Sequence, residues 1–205
     1  MTSLEGYAVR RTLLLLGSML LGLALTACSK SSADTFAGAV LPKPYHAPST
    51  ELTDTDGHPF SLADSTHKRL TLVFFGYTHC PDECPTTMAT LASALLQLDD
   101  EDRGDVQVVF VTTDPARDTR PVLRHWLDHF SSSFVGLTGS LPTIKKIATE
   151  VGVPVAKGRR LPSGGYDVTH GTQVLGMDGK NKIPVVWTLG ATAPEFAHDI
   201  HQLLS

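Results

Sequence analysis

The sequence predicts an α/β fold, a central mixed sheet flanked by helices, and three observations carry that reading. Two apolar runs, residues 70–77 and 106–112, have the Val and Phe weight and the length of buried strands. Each is followed by a segment whose apolar residues recur every three or four positions, the period of a helix that rests one face on a sheet. Two further strand-like runs and a closing helical segment come late in the chain, so helices are expected on both faces of the sheet. At 205 residues the chain holds one such domain and additional segments. A formal net charge of -4 argues against nucleic acid as a partner, because that role calls for a basic surface. Three cysteines are too few for a disulfide scaffold.

Residues 1–11 form a short leader ending in Arg10-Arg11, and residues 12–27 form a leucine-rich run. That run has the length of a signal peptide and is short for a bilayer span of about 20 residues. It ends Leu25-Thr26-Ala27-Cys28, which resembles the lipobox of bacterial lipoproteins. The resemblance implies cleavage before Cys28, a lipid on Cys28, and a mature protein anchored to the outer face of the cytoplasmic membrane. The arginine pair points weakly to twin-arginine export. Residues 28–48, rich in Ser, Ala and Pro, read as a flexible linker, and residues 49–205 as the folded domain.

Within the domain, residues 51–63 predict a hairpin around Asp56-Gly57, with Leu52, Phe60 and Leu62 as its apolar positions. After the strand at 70–77 the chain turns through Cys80 and Cys84, and a helix over 85–98 begins at Pro85, where a missing N–H costs nothing. The acidic run 99–105 closes that helix. After the strand at 106–112, Asp114-Pro115 forms a turn and a helix over 119–130 starts with Asp118 or Thr119 as its cap. A short strand at 134–137 and a helix over 141–151 stopped by Gly152 follow. Residues 153–165 read as irregular and basic, with Gly164-Gly165 as a turn; 168–177 and 183–189 read as the strands of a late hairpin, and 194–204 as the last helix.

Cys80 and Cys84 therefore stand where a strand hands over to a helix. A helix N-terminus favours thiolate over thiol, and thiolate is both the nucleophile and the metal ligand. Two soft sulfurs suit Cu(I), zinc or iron–sulfur iron, but two ligands do not close a structural zinc site. Asp82 and Glu83 between them oppose ionisation of the thiols, which favours a site completed by a cation. Thiol–disulfide exchange through a Cys80–Cys84 disulfide is the alternative; an inert structural disulfide or a peroxidase weighs less. On spacing alone His170 is a loop histidine, His79 a partly exposed one, and His125, His129, His198 and His201 belong to solvated helix faces.

The stretch FFGYTHCPDECPTTM at 74–88, with VTTDPARDTR at 111–120 and VTHGT at 168–172, resembles the Sco (SCO1/SenC) proteins over residues 51–205. These are membrane-tethered copper proteins that help assemble the binuclear copper centre of cytochrome c oxidase. The resemblance implies a thioredoxin-like fold and one copper, Cu(I) or Cu(II), on Cys80, Cys84 and His170. It implies as partners the copper-bearing oxidase subunit and an upstream copper donor. Under the alternative the same cysteines reduce the thiols of that subunit or act in redox defence, so the chain is a carrier or an enzyme. The family usually has an acidic residue before the histidine; here it is Thr169, with Asp167 nearby. Asp114 and Asp118 match a family motif and are read as structural, and Pro81 and Pro85 as fixing the loop and the helix start.

Overall fold

A computed structural model describes residues 35–160 and 166–205; within that range the side chains of Lys157, Arg159, Arg160 and residues 166–170 lie outside the description. The expected signal peptide and the expected lipidation site, Cys28, also lie outside the described residues. The strands are β1 (Ala39–His46), β2 (Leu52–Asp54), β3 (Pro59–Phe60), β4 (Leu70–Gly76), β5 (Val106–Thr112), β6 (Val135–Thr138), β7 (Val155–Arg160), β8 (Tyr166–His170), β9 (Val174–Asp178) and β10 (Lys182–Trp187). The helices are α1 (Glu83–Gln97), α2 (Asp100–Gly104), α3 (Arg120–Leu127), α4 (Leu141–Glu150) and α5 (Ala193–Leu204). Eight strands form one sheet in the order β1-β10-β9-β4-β5-β6-β2-β3, and β7 pairs with β8 separately. β4 runs parallel to β5, and β5 to β6, while β9, β10, β1, β2 and β3 pair antiparallel. The sheet is mixed, as expected.

The central strands are buried on both faces, and their period of two assigns each side chain to one of two cores. From β4, Leu70, Leu72 and Phe74 enter one core with Met88 and Leu91 of α1, Leu123 and Leu127 of α3, and Phe196 and Ile200 of α5. Val73 and Phe75 enter the other with Ile144 and Ile147 of α4. Each such fully buried side chain contributes about 1.5–3 kcal/mol, which fixes β4 as the axis from which the site projects.

Several expectations are corrected. Residues 39–46 are strand β1, not linker. Pro42 and Pro44 give the segment its linker-like composition, but β1 is an edge strand, where proline is tolerated, and its register with β10 shifts between Val40 and Tyr45, across the prolines. Residues 155–160, read as irregular, form β7; the expected turn at Gly164-Gly165 lies outside the described residues. The single strand expected at 168–177 is two strands, β8 and β9, parted at residues 171–173. The acidic run is a short helix capped by Asp99, whose Oδ1 accepts from the Asp102 N–H at 2.8 Å. The hairpin of β2 and β3 is as expected, with Gly57 at φ 98°. Among the described residues no helix is long and apolar enough to cross a membrane.

Candidate metal centre

β4 ends at Gly76, and the next eight residues carry both cysteines. Helix α1 begins at Glu83, two residues before the expected Pro85, so Cys84 lies inside its first turn. The helix has no side-chain N-cap. Instead the Cys84 N–H donates to Cys80 Sγ at 3.4 Å, so a sulfur takes up one of the orphan donors of the helix start. The Cys80 N–H in turn donates to the Tyr77 carbonyl at 3.2 Å, closing a tight turn over residues 77–80. Both cysteines are thiols; Cys80 is half-buried and Cys84 fully buried.

The two side chains are hydrogen-bonded to each other, and that bond is the first cause of a strong rise in the Cys84 pKa. Burial is the second; a backbone hydrogen bond with Tyr77 opposes them, and the charges of Cys80 and Glu83 add smaller upward pushes. The expectation that the helix start ionises the thiol is therefore reversed at Cys84, because burial and a competing thiol outweigh the dipole. Gly76 makes room for this sulfur: a Cβ there would stand 2.9 Å from Cys84 Sγ and 2.9 Å from both Phe74 and Phe110.

The backbone brings the third expected ligand's segment to the same end of the sheet. His170 is the last residue of β8, opposite Val155, and not the loop residue it was expected to be. Four residues on, Val174 pairs with Phe74 near the end of β4. Thr172 lines a cavity of about 390 Å³ together with Thr86 and Thr87 of α1, just beyond Cys84. The side chains of Asp167, Thr169 and His170 lie outside the described residues.

The segment after β5 grips the cysteine loop residue by residue. Thr113 donates twice to the Gly76 carbonyl, from its N–H at 2.7 Å and its hydroxyl at 3.0 Å. The Arg117 guanidinium lies over the Tyr77 ring at 5.8 Å and is paired with Asp114. Thr78 gives its N–H to Asp118 Oδ2 at 3.0 Å and its hydroxyl to Asp118 Oδ1 at 2.6 Å. Thr112 adds a hydroxyl donor to Asp118 Oδ2 at 2.6 Å. Asp118 is 0% exposed and does not cap α3, whose N-cap is Thr119. Reading by element took Asp118 as a helix cap and passed over Thr78; the sequence traces of the pair are the motifs at 111–120 and 74–88.

His79, half-exposed, lies 3.8 Å from Asp118 Oδ1 and 3.0 Å from the Thr78 hydroxyl. His125 and His129 stack edge to face at 5.0 Å on the exposed side of α3 and just after it. His198 bonds Gln202, and His201 bonds Asp102 across to α2. Asp54, Asp56 and His58 also bring possible ligand atoms together. Turn chemistry accounts for that group: Asp54 Oδ1 accepts the N–H groups of Asp56, Gly57 and His58 at 2.8–2.9 Å.

The sequence model described as SCO1/SenC matches residues 41–205. A protein of Stutzerimonas stutzeri, named for copper binding, is 35% identical over 142 residues, which are 68% of this chain and 69% of that one. The chain covers only 40% of the yeast protein SCO2 and 51% of the Rickettsia felis SCO2-like protein. The solution structure of apo Sco1 from Thermus thermophilus superposes with a TM-score of 0.72 at 29% identity, covering 85% of this chain and 98% of that one. Bradyrhizobium japonicum ScoI, solved with copper bound, gives 0.66 at 31% identity over 78% of this chain and 98% of that one. With its mixed sheet, its thiol pair at the end of β4 and a family match from β1 to the C-terminus, this chain belongs to the SCO1/SenC family and has that family's thioredoxin-like fold.

Proposed function

We propose that this chain is a copper carrier of the cell envelope, tethered by a lipid on Cys28. It takes one copper from an upstream donor and passes it to the copper-bearing subunit of cytochrome c oxidase. The observation that carries the reading is the contact between two thiols at the end of β4, one buried and one open to a partner, in a chain whose solved relative holds copper. Cys80, Cys84 and His170 are the ligands. Two thiolates and an imidazole suit Cu(I) in a trigonal site, and a further water accommodates Cu(II). A thiol ligand must lose its proton to bind the metal, so copper uptake at Cys84 releases a proton against the upward push on its pKa.

The second reading is a reductase of the oxidase subunit's cysteines, or of thiols in redox defence. The half-exposed Cys80 beside the buried Cys84 favours it: Cys80 attacks a partner disulfide, and Cys84 resolves the mixed disulfide. Two thiols here become one disulfide as the partner's disulfide becomes two thiols.

The test is a titration of the reduced full chain in detergent. Charge-transfer bands follow Cu(II), and competition with a chelator follows Cu(I). Wild type is expected to bind one copper; His170→Ala to lose the band and most of the affinity yet keep thiol exchange; Cys80→Ser to lose both. Full affinity in His170→Ala refutes the ligand set. Absence of tight copper in both oxidation states leaves the reductase, whose defining number is the Cys80–Cys84 reduction potential. Mass spectrometry of the membrane fraction tests the anchor, and an unmodified N-terminus upstream of Cys28 refutes it.

A further inference from the structure

The motif at 111–120 has no part in the ligand set, yet its residues hold three consecutive residues of the metal loop. Gly76, Tyr77 and Thr78 are each grasped from residues 112–118 by the bonds and the ring contact described above. The thiols thus belong to different frames. Cys84 is built into α1 and seated against Gly76. Cys80 follows Thr78 by two residues, and Thr78 is tied to Asp118, beyond the end of β5.

We propose that Asp118 is a positioning residue of the metal site. Its buried carboxylate, locked by the Thr112 hydroxyl, holds Thr78 and so sets where Cys80 stands relative to Cys84. Its hydrogen bonds go to Thr78 and Thr112, and it acts on Cys80 through the loop. The role is one of hydrogen-bond geometry, not of charge, because an amide of the same shape satisfies nearly the same partners. An asparagine oxygen in place of Oδ2 accepts from the Thr78 N–H and the Thr112 hydroxyl. Its NH2 in place of Oδ1 donates to the Thr78 hydroxyl, which accepts as readily as it donates. The inference rests on the copper reading for its main readout, though not for its second one.

The test compares wild type, Asp118→Ala, Asp118→Asn and Thr78→Ala, with Ile144→Ala, a core truncation on the opposite face of the sheet, as the control for lost stability. Removing a supporting partner of a metal site costs roughly 10- to 100-fold in affinity. Asp118→Ala is expected to lose that much copper affinity and to shift the charge-transfer band. Thr78→Ala, which keeps the backbone bond, loses less, and Asp118→Asn stays near wild type. Ile144→Ala keeps the wild-type band. The second readout needs no metal: alkylation of Cys80 by iodoacetamide in the reduced protein is expected to quicken severalfold in Asp118→Ala and not in Asp118→Asn.

Wild-type affinity, band and alkylation rate in Asp118→Ala overturn the proposal. An equal loss in Ile144→Ala overturns it in favour of general destabilisation, and an equal loss in Asp118→Asn in favour of charge. If Asp118→Ala does not fold, Thr78→Ala decides, and a wild-type result there overturns the proposal. If wild type itself binds no copper, the carrier reading fails, and the alkylation rates alone decide the role of Asp118.

Discussion

Replacing Gly76 by alanine adds one methyl group at the junction of core and metal loop. Its Cβ would meet Cys84 Sγ, Phe74 Cε1 and Phe110 Cε2, each at 2.9 Å, against the 3.4–4 Å of ordinary contact. Every neighbour would have to retreat by about 0.5 Å or more. The rings have nowhere to go: Phe74 packs on Phe110 at 6.1 Å, and Phe110 on Trp126 at 5.1 Å between centroids. The sulfur is the softest of the three, so the strain is expected to fall on Cys84. Overpacking of this kind costs about 1–3 kcal/mol, which for a chain of this size lowers Tm by roughly 2–12 °C. Urea unfolding measures the stability term. A copper titration, followed by the thiolate band and chelator competition, measures displacement of the sulfur. Both are expected to change, with copper affinity falling by more than the stability loss explains. If Gly76→Ala unfolds at the wild-type urea concentration and keeps the wild-type band, Gly76 does not seat Cys84 and the reasoning is refuted.

Other perturbations follow from the same contacts. Asp199, fully buried in α5, accepts from Trp187 Nε1 at 2.7 Å and from the N–H groups of Ala37 and Gly38. Asp199→Ala leaves these donors without their acceptor and is expected to cost about 3 kcal/mol. Hydrogen exchange at Ala37 and Gly38 should quicken; unchanged exchange there would contradict a clip on the start of β1. The hydrogen bond and charge of Asp102 hold the His201 pKa above its ordinary 6.5. A raised folded pKa stabilises fully below the unfolded value and loses its effect as pH rises through the folded one. The Tm deficit of His201→Gln should therefore be largest below pH 6.5 and fade above the raised value, and a deficit that grows with pH would reverse the assignment. Thr192 and Glu195 form a capping box at the start of α5. Thr192→Ala should cost about 1 kcal/mol in urea unfolding, with the copper band unchanged.

Elements whose character is local were legible in the sequence. β4 and β5 were recognisable because a strand buried on both faces is apolar over most of its length, as 72–75 and 108–111 are. The contact face of α1 was recognisable because Met88 and Leu91 keep the helical period. The strand-to-helix setting of Cys80 and Cys84 followed from those two, and the motifs at 74–88, 111–120 and 168–172 identified the family. β1 was not recognisable, since its prolines belong equally to a linker and only β10 makes it a strand. β7 was hidden for a like reason, because VAKGRR has no apolar alternation and its pairing with β8 is all that defines it.

Residue types and spacing by themselves determined that this chain has a doubly covered sheet with two thiols at the end of its central strand. Tertiary structure alone decided which thiol is buried, that a sulfur takes the place of a helix cap, and that Asp118 turns inward to hold Thr78 instead of capping α3. The physical reason is the range of the forces involved. Burial patterns and turn chemistry act over a few residues and leave their period in the chain. The hydrogen bonds between Thr78 and Asp118 join residues 40 apart in sequence, and the pKa of Cys84 depends on what the fold packs around it.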